Sequence, residues 1–223
     1  MDRQTVRKMF WIGGLAAGAL LVVLGAIWIW QGASARSEVH DTISREQITG
    51  TPDMSPATFK GEVAGIETPT CDVAGKEIDT GAEARCFADW MRVHALEGTG
   101  GRTFSEMGRY LDANGKETND PAQAAKDPKT GQPVTNGARD LWVTQRALAT
   151  GLELAFVGEQ ISLFSIATGA VFAIIGIGLL VMLTIGGVLV PRKPETHTSI
   201  TRRSLAARSP APPASAGRAR RRW

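Results

Sequence analysis

Two long apolar runs constrain this chain more than any other feature of its sequence. The runs are Phe10–Trp30 and Ser165–Val190, and neither contains Asp, Glu, Lys, Arg or His. About 20 apolar residues in a helix cross the hydrocarbon core of a bilayer, so each run is long enough to span one. This pattern excludes a simple water-soluble domain and a chain that is collagen-like, coiled-coil or disordered throughout. It predicts a mainly α protein with two transmembrane helices in an antiparallel hairpin.

Charge is distributed unevenly among the segments that these runs define. Residues 31–164 contain 13 Lys and Arg against 20 Asp and Glu, whereas residues 191–223 contain nine basic residues and one acidic residue. Lys and Arg beside a span favour the cytoplasmic side of the membrane, which predicts a two-pass plasma-membrane protein with both termini cytoplasmic. The predicted segments are a cytoplasmic amino terminus (1–9), the first span (10–30), an extracytoplasmic domain (31–164), the second span (165–190) and a cytoplasmic tail (191–223).

An alternative interpretation of the first run is a signal peptide that is cleaved. A basic start precedes it, and Ala33-Ser34-Ala35 has the form of a cleavage site. Its 21 residues exceed the ~7–15 of a usual signal core, and aromatic residues flank both of its ends, as in an interfacial belt. These two features favour a retained anchor.

Small residues recur at four-residue spacing in both spans. Gly14 and Gly18 lie in the first, and Gly169 and Ala173 lie in the second. Such spacing lets helix backbones approach closely, which predicts packing of the two spans against each other or of two copies, although Gly and Ala are also simply common in membrane helices. The lack of ionisable groups in either run disfavours a transporter, pump or channel.

The sequence of the outer region predicts a small α-rich domain that rests on two projecting helices. We expect the first helix to continue past the membrane until Gly50 and Pro52 end it. Helical periodicity resumes at Ala138 and leads into the second span without a proline, which predicts one nearly continuous helix.

Two capping-box patterns predict further helices between these projections. Thr80 and Glu83 begin a predicted helix over Gly81–Glu97. The same pattern at Thr103 predicts a short helix through Leu111. Residues 116–136 are rich in Asp, Lys, Pro, Gly and Thr, which predicts a mobile loop.

Cys71 and Cys86 are the only cysteines. An even count in an extracytoplasmic domain favours a structural disulfide. The alternative is a redox pair, but the Cys-x-x-Cys spacing is absent.

Three short motifs resemble chemical sites, but none of them predicts one. His94 and Glu97 share a helix face and could ligate zinc with help from His40, but a lone His is usually structural. Residues 98–103 could bind an anion, but a helix boundary is the favoured interpretation. The sequence at 112–115 resembles a calcium loop, but its Gly is not at the required position, so a turn is favoured. Three aromatic residues are expected in the core by default: Trp90, Trp142 and Tyr110. No catalytic residue, cofactor or metal is predicted.

The carboxyl-terminal segment 191–223 is basic and contains several prolines. Such a segment buries no core, so we expect disorder, with attraction to anionic lipid at the inner leaflet. Its charge also suits nucleic acid.

Three stretches carry a resemblance to a known group of proteins: Ile48–Met54, Cys71–Lys76 and His94–Gly101. In these, and in layout over about residues 10–190, the chain resembles uncharacterised two-pass membrane proteins of actinobacteria. The resemblance implies a plasma-membrane location, no established activity and no catalytic residue.

These observations predict a structural or protein-interaction role. The protein would be an accessory subunit or a cell-envelope interaction module whose partner is another membrane or envelope protein, or a second copy in a homo-oligomer. The alternative is a membrane-anchored sensor whose outer domain captures a small ligand or cation, and an enzyme ranks third.

Overall fold

The computed structural model of the chain describes residues 3–189, so the predictions for the tail lie outside the described residues. Within this range the elements are, in order, α1 (Arg3–Arg45), α2 (Gly81–Gly98), a 3-10 turn (Phe104–Glu106), β1 (Tyr110–Leu111), β2 (Glu117–Thr118) and α3 (Gly137–Leu189). The prediction of a mainly α protein is confirmed. α3 begins one residue before the predicted start and continues through the second apolar run without a break.

The two long helices, α1 and α3, pack against each other in antiparallel orientation. Glycines on α1 meet small residues on α3 at intervals of seven: Gly18 lies opposite Gly176, Gly25 opposite Gly169, and Gly32 opposite Ser162. A seven-residue period keeps one face of each helix turned toward its partner. Both helices are long and apolar enough to cross a membrane.

The predicted end of the first helix near Gly50 is wrong, because α1 ends at Arg45. Gln47 adopts a left-handed backbone conformation with φ of 51°, which redirects the chain. Beyond it, Ile48 accepts a backbone hydrogen bond from Ile78, and Gly50 donates one to Lys76. Pairing with a distant segment therefore ends the helix before the local breakers do.

α2 forms nearly where the sequence predicts it. The Thr80 side chain accepts from the backbone N–H of Glu83, and the Glu83 side chain accepts from that of Thr80, so the predicted capping box is present. At the other end, the Gly101 N–H donates to the Leu96 carbonyl at 2.7 Å. α2 runs antiparallel to α3, since Gly81 contacts Phe156 and Gly98 contacts Leu141.

The predicted helix from Thr103 to Leu111 is wrong. Only a single 3-10 turn forms, although the Glu106 carboxylate accepts from the Thr103 backbone as the capping box requires. The chain then becomes extended, and Tyr110 pairs with Thr118 in a two-stranded antiparallel sheet. Gly108 lies against the backbone of Thr118, an approach that a helix at this point would prevent.

The segment 116–136 contains backbone pairing where the sequence predicts only a loop. It contributes β2, and isolated bridges join Lys126 to Pro133 and Tyr110 to Thr135. The Asp127 carboxylate accepts from the backbone N–H groups of Lys129 and Thr130 at 2.8 Å each, which closes one of its turns.

We call residues 46–136, which lie between the two long helices, the cap. The main core lies where the cap meets α1 and α3. It contains Trp90, Ile78, Val73 and Ile43, with Leu152 of α3 packed against it. Because Ile43 and Leu152 belong to the long helices, the cap and the hairpin share one core. A second, smaller cluster joins Met107 to Trp142 of α3.

Candidate functional site

Cys71 and Cys86 form a disulfide, as predicted. Their sulfur atoms are 2.06 Å apart and their Cα atoms 6.0 Å apart. The bridge connects the irregular segment before α2 to the second turn of α2. A cross-link that closes a loop of about 15 residues stabilises a fold by about 3 kcal/mol in the chain-entropy model.

Trp90 connects the same two segments as the disulfide. Its side chain is fully buried, and its Nε1–H donates to the Cys71 carbonyl at 3.1 Å. The ring of Phe59 lies 5.3 Å from the Trp90 ring, between centroids. The expectation that Trp90 belongs to the core is confirmed, and Trp142 is also buried. Tyr110 is only half-buried, in β1.

A cavity of about 800 Å³ opens between the segment 64–71 and one face of α2. The disulfide forms part of its wall. The bridge and the Trp90 hydrogen bond to Cys71 both connect the two sides of the cavity. A cavity of this size falls within the range of small-molecule sites.

Charged side chains of alternating sign line the α2 side of this cavity. Arg85, Asp89 and Arg92 follow one another at helical spacing. The two guanidinium groups also contact aromatic rings of α3: Arg85 lies 4.8 Å from the Phe156 ring centroid, and Arg92 lies 5.4 Å from that of Trp142. The cavity therefore offers both cationic and anionic groups, which suits a polar ligand.

A second polar cluster lies where the cap meets the two long helices, and we call it the Glu159 junction. The Glu159 side chain is 6% exposed. Its Oε1 accepts from Arg36 Nε at 3.2 Å and lies 3.4 Å from His40 Nε2. Its Oε2 accepts from the Gly81 N–H at 2.8 Å. One carboxylate thus joins α1, α3 and the first turn of α2.

The electrostatics of the Glu159 junction favour the charged carboxylate. Burial by itself raises the pKa of Glu159, but the hydrogen bonds with His40, Arg36 and the Gly81 N–H outweigh it and hold the pKa below its ordinary value of 4.5. The positive end of the α2 dipole acts in the same direction. The junction is therefore a charged clamp at ordinary pH.

The metal pair considered at His94 does not form. Glu97 directs its carboxylate to the backbone N–H groups of Glu62 and Val63, and His40 belongs to the Glu159 junction. His94 Nε2 instead lies 3.1 Å from Asp53 Oδ2, although it is not aligned as a hydrogen bond. Among residues 3–189, no three His, Cys, Asp or Glu side chains converge as a metal site.

The two remaining sequence motifs are structural. The backbone N–H groups of Thr99, Gly100 and Gly101 donate to carbonyls of the last turn of α2, so they do not face an anion. Asp112 Oδ1 accepts from the N–H groups of Asn114 and Lys116 at 2.8 Å each. This is a tight turn, and it leaves the calcium-loop hypothesis without support.

The four small residues singled out in the spans lie at the α1–α3 interface. A Cβ atom added at Gly14 meets Leu183, and one at Gly18 meets Leu180 and the Gly176 carbonyl. Gly169 and Ala173 both face Gly25. Their nearest neighbours in the single chain are therefore residues of the other long helix.

Sequence reasoning missed the Glu159 junction. The available signal was a lone acidic residue among apolar and small residues just before the second span, together with Arg36 and His40 one helical turn apart. The missed glycines are Gly25 and Gly32, which continue from Gly18 at a period of seven.

Comparisons with protein-family models, with curated proteins and with solved structures give no significant match.

Proposed function

We propose that the chain is a two-pass plasma-membrane protein whose outer cap serves a structural or protein-interaction role. In this proposal the apolar parts of α1 and α3 cross the bilayer, the cap lies outside the cytoplasm and both termini lie inside. The protein then acts as an accessory subunit or a cell-envelope interaction module.

The spacing of exposed aromatic residues on α1 supports membrane insertion most directly. Phe10 and Trp11 lie at one end of the apolar segment, and Trp28 and Trp30 lie at the other, all exposed on the hairpin surface. Nineteen helical positions separate Trp11 from Trp30, a rise of about 28 Å at 1.5 Å per residue. The hydrocarbon core of a bilayer is about 30 Å thick, so the aromatic residues fit its two interfaces.

The exposed surface between these aromatic residues suits lipid. The apolar windows of both long helices are only 11% buried, so most of their aliphatic side chains face outward. Such a surface would aggregate in water. In a bilayer this surface contacts lipid, and the backbone hydrogen bonds of both helices are satisfied internally.

The orientation rests on charge. Basic residues beside the spans favour the cytoplasm, and the disulfide belongs to an oxidising compartment. With this orientation, the basic segment 191–223 faces anionic lipid of the inner leaflet, which attracts each basic residue near the surface by about 1 kcal/mol.

Cysteine labelling in intact cells tests this topology. Lys129→Cys places a thiol on the exposed cap, and Ser209→Cys places one in the carboxyl-terminal segment. We expect a membrane-impermeant maleimide to label the first variant in intact cells and the second only after lysis. The reverse pattern contradicts the orientation, and recovery of the protein in the soluble fraction contradicts membrane insertion.

The cavity beside the disulfide favours a second candidate function, a sensor that captures a small polar ligand or cation. Its guanidinium and carboxylate groups at Arg85, Asp89 and Arg92 provide opposite charges within one face of α2. Native mass spectrometry of the purified protein tests this function. A bound small molecule that is lost in Arg92→Ala supports it, and a chain of unmodified mass in both proteins contradicts it.

A further inference from the structure

The face of α3 that points away from α1 and α2 carries an apolar stripe of its own. Its residues recur at alternating intervals of four and three, and outside the proposed membrane they are Val143, Ala147, Thr150, Leu154, Val157 and Ile161. We call this set the α3 outer stripe. All six residues are exposed, and Leu154 and Ile161 are 64% and 63% exposed.

The spacing of the outer stripe is that of a coiled coil. Apolar residues that alternate by four and three form the a and d positions of a heptad, which pack into a facing helix. The opposite face of α3 already packs on α1 and α2 through Trp142, Leu152 and Ser162. The outer stripe is therefore a second packing surface, and the single chain leaves it in water.

We propose that the outer stripe packs against the outer stripe of a second copy, so that two α3 helices form a parallel two-fold coiled coil. This inference rests on the proposed membrane topology, which fixes both copies in the same orientation. It names one partner of the proposed interaction module as the chain itself.

Continuity of the stripe with the membrane segment restricts what can cover it. The same spacing continues through Phe164 and Val171 to Ile185, all exposed. A partner that covers the whole stripe is a helix that crosses the membrane and projects from the same side with an apolar face. α3 itself has this form, whereas the projecting part of α1 exposes Arg36, Glu38 and Asp41.

The chemistry of the stripe suits symmetric pairing. In a parallel two-fold pair each a or d residue meets its own copy, and none of these residues is charged. The polar one, Thr150, donates its hydroxyl to the Arg146 carbonyl at 2.8 Å, so its burial leaves no unsatisfied donor. Arg146 and Glu153 flank the stripe and pair with each other at 3.5 Å.

Two glycines at the edge and in the continuation of the stripe support close approach of a partner. A Cβ atom at Gly151 or Gly178 meets nothing within 4 Å. A glycine inside a helix lowers helix stability relative to alanine, and no contact within the single chain requires one at either place. Small residues at such positions let a second backbone approach.

The area of the stripe approaches that of a standard stable interface. From Val143 to Ile185 it extends about 63 Å at 1.5 Å per residue, and a strip about 10 Å wide gives roughly 600 Å² per copy. This approaches the ~800 Å² per partner of a standard stable interface.

Oxidative cross-linking in native membranes tests the proposal. Val157→Cys places a thiol at the centre of the stripe, and Ser37→Cys places the matched control on α1 at the same height, five residues beyond the opposed pair Gly32 and Ser162. Facing positions of a two-fold pair lie within disulfide reach, so we expect about tenfold more covalent dimer from Val157→Cys than from the control. Co-expression with excess unlabelled wild-type chain should lower this yield.

Three outcomes overturn the second-copy proposal. They are equal cross-linking of the two variants, no dimer from Val157→Cys, and a product whose mass indicates a different protein. Formation of the Cys71–Cys86 bridge, read by mobility on a non-reducing gel, confirms that each variant folds.

Membrane fractionation of the same two variants distinguishes failure of this inference from failure of the proposed function. If both variants remain in the membrane after alkaline extraction and no dimer forms, the pairing is wrong and the topology stands. If they are extracted as soluble proteins, the proposed function itself fails.

Discussion

At the scale of single residues, a few buried polar atoms determine how the cap is attached. Glu159 uses both carboxylate oxygens, one toward Arg36 and His40 and one toward the Gly81 N–H. A buried carboxylate is costly unless such partners surround it. Trp90 has a similar role within α2, where its indole N–H donates to the Cys71 carbonyl. Each residue joins segments that are far apart in the chain.

Glu159→Gln should destabilise the protein by about 1–2 kcal/mol at neutral pH, a value reduced because Arg36 is 45% exposed. The neutral amide keeps the shape but leaves Arg36 and the α2 amino terminus without a negative charge. Chemical denaturation in detergent, followed by tryptophan fluorescence, measures the difference. The matched control is Glu153→Gln, whose exposed ion pair with Arg146 spans 3.5 Å and should contribute at most ~0.5 kcal/mol.

The difference between wild type and Glu159→Gln should also depend on pH. The pKa of Glu159 is lowered in the folded state, so the charged carboxylate stabilises the fold above its ordinary pKa of 4.5. This stabilisation is lost as the pH falls below 4.5 through the folded pKa. A constant difference across this window would show that charge has no part in the clamp.

At the scale of elements, the α1–α3 pair depends on backbone contact. The glycines at intervals of seven leave no room for a side chain between the helices, since a Cβ atom at Gly25 would lie 2.6 Å from the Gly169 carbonyl oxygen. In lipid the association of helices relies on such packing because there is no hydrophobic driving force between them. The Trp28 and Phe172 rings add an edge-to-face contact at 6.3 Å.

Gly25→Ala should separate α1 from α3 and lower stability by about 1–3 kcal/mol, as overpacking does. Gly13→Ala is the control on the same helix, because a Cβ atom there meets nothing within 4 Å. Thermal unfolding of both variants in the same detergent gives the comparison. Equal melting temperatures would mean that the close approach at Gly25 does not stabilise the pair.

At the scale of the whole molecule, the cap and the hairpin form one folding unit. The main core takes Ile43 from α1 and Leu152 from α3, and the Glu159 junction adds polar contacts at the same boundary. The cap between them has one α-helix of 18 residues and one two-stranded sheet among its described residues. Both hydrophobic clusters of the cap therefore include side chains from the long helices.

The isolated cap, residues 46–136, should therefore fail to fold stably even with its disulfide formed. Removal of the two long helices exposes the core face of α2, and about 3 kcal/mol from the bridge does not replace that burial. Trp90 is the one tryptophan of the fragment. We expect limited proteolysis to degrade the fragment rapidly and its near-ultraviolet circular dichroism to be weak. A protease-resistant fragment with a sharp unfolding transition would contradict the shared core.

The sequence by itself determined those features that depend on local chemistry. The apolar runs predicted the two long helices, the Thr80–Glu83 capping box predicted the start of α2, and the count of cysteines predicted the disulfide. Helical periodicity and caps depend on residues that are close in sequence. Two cysteines allow only one pairing. Both kinds of feature can therefore be predicted from the sequence.

The tertiary structure decided those features that depend on distant partners. Backbone pairing with Ile78 and Lys76 ended α1 early, and pairing with Thr118 replaced the helix expected after Thr103. Glu159 acquired its role only when α1, α2 and α3 met. A backbone or carboxylate group selects its hydrogen-bond partner by proximity in space, and proximity between residues 36, 81 and 159 is set by the packing of whole helices.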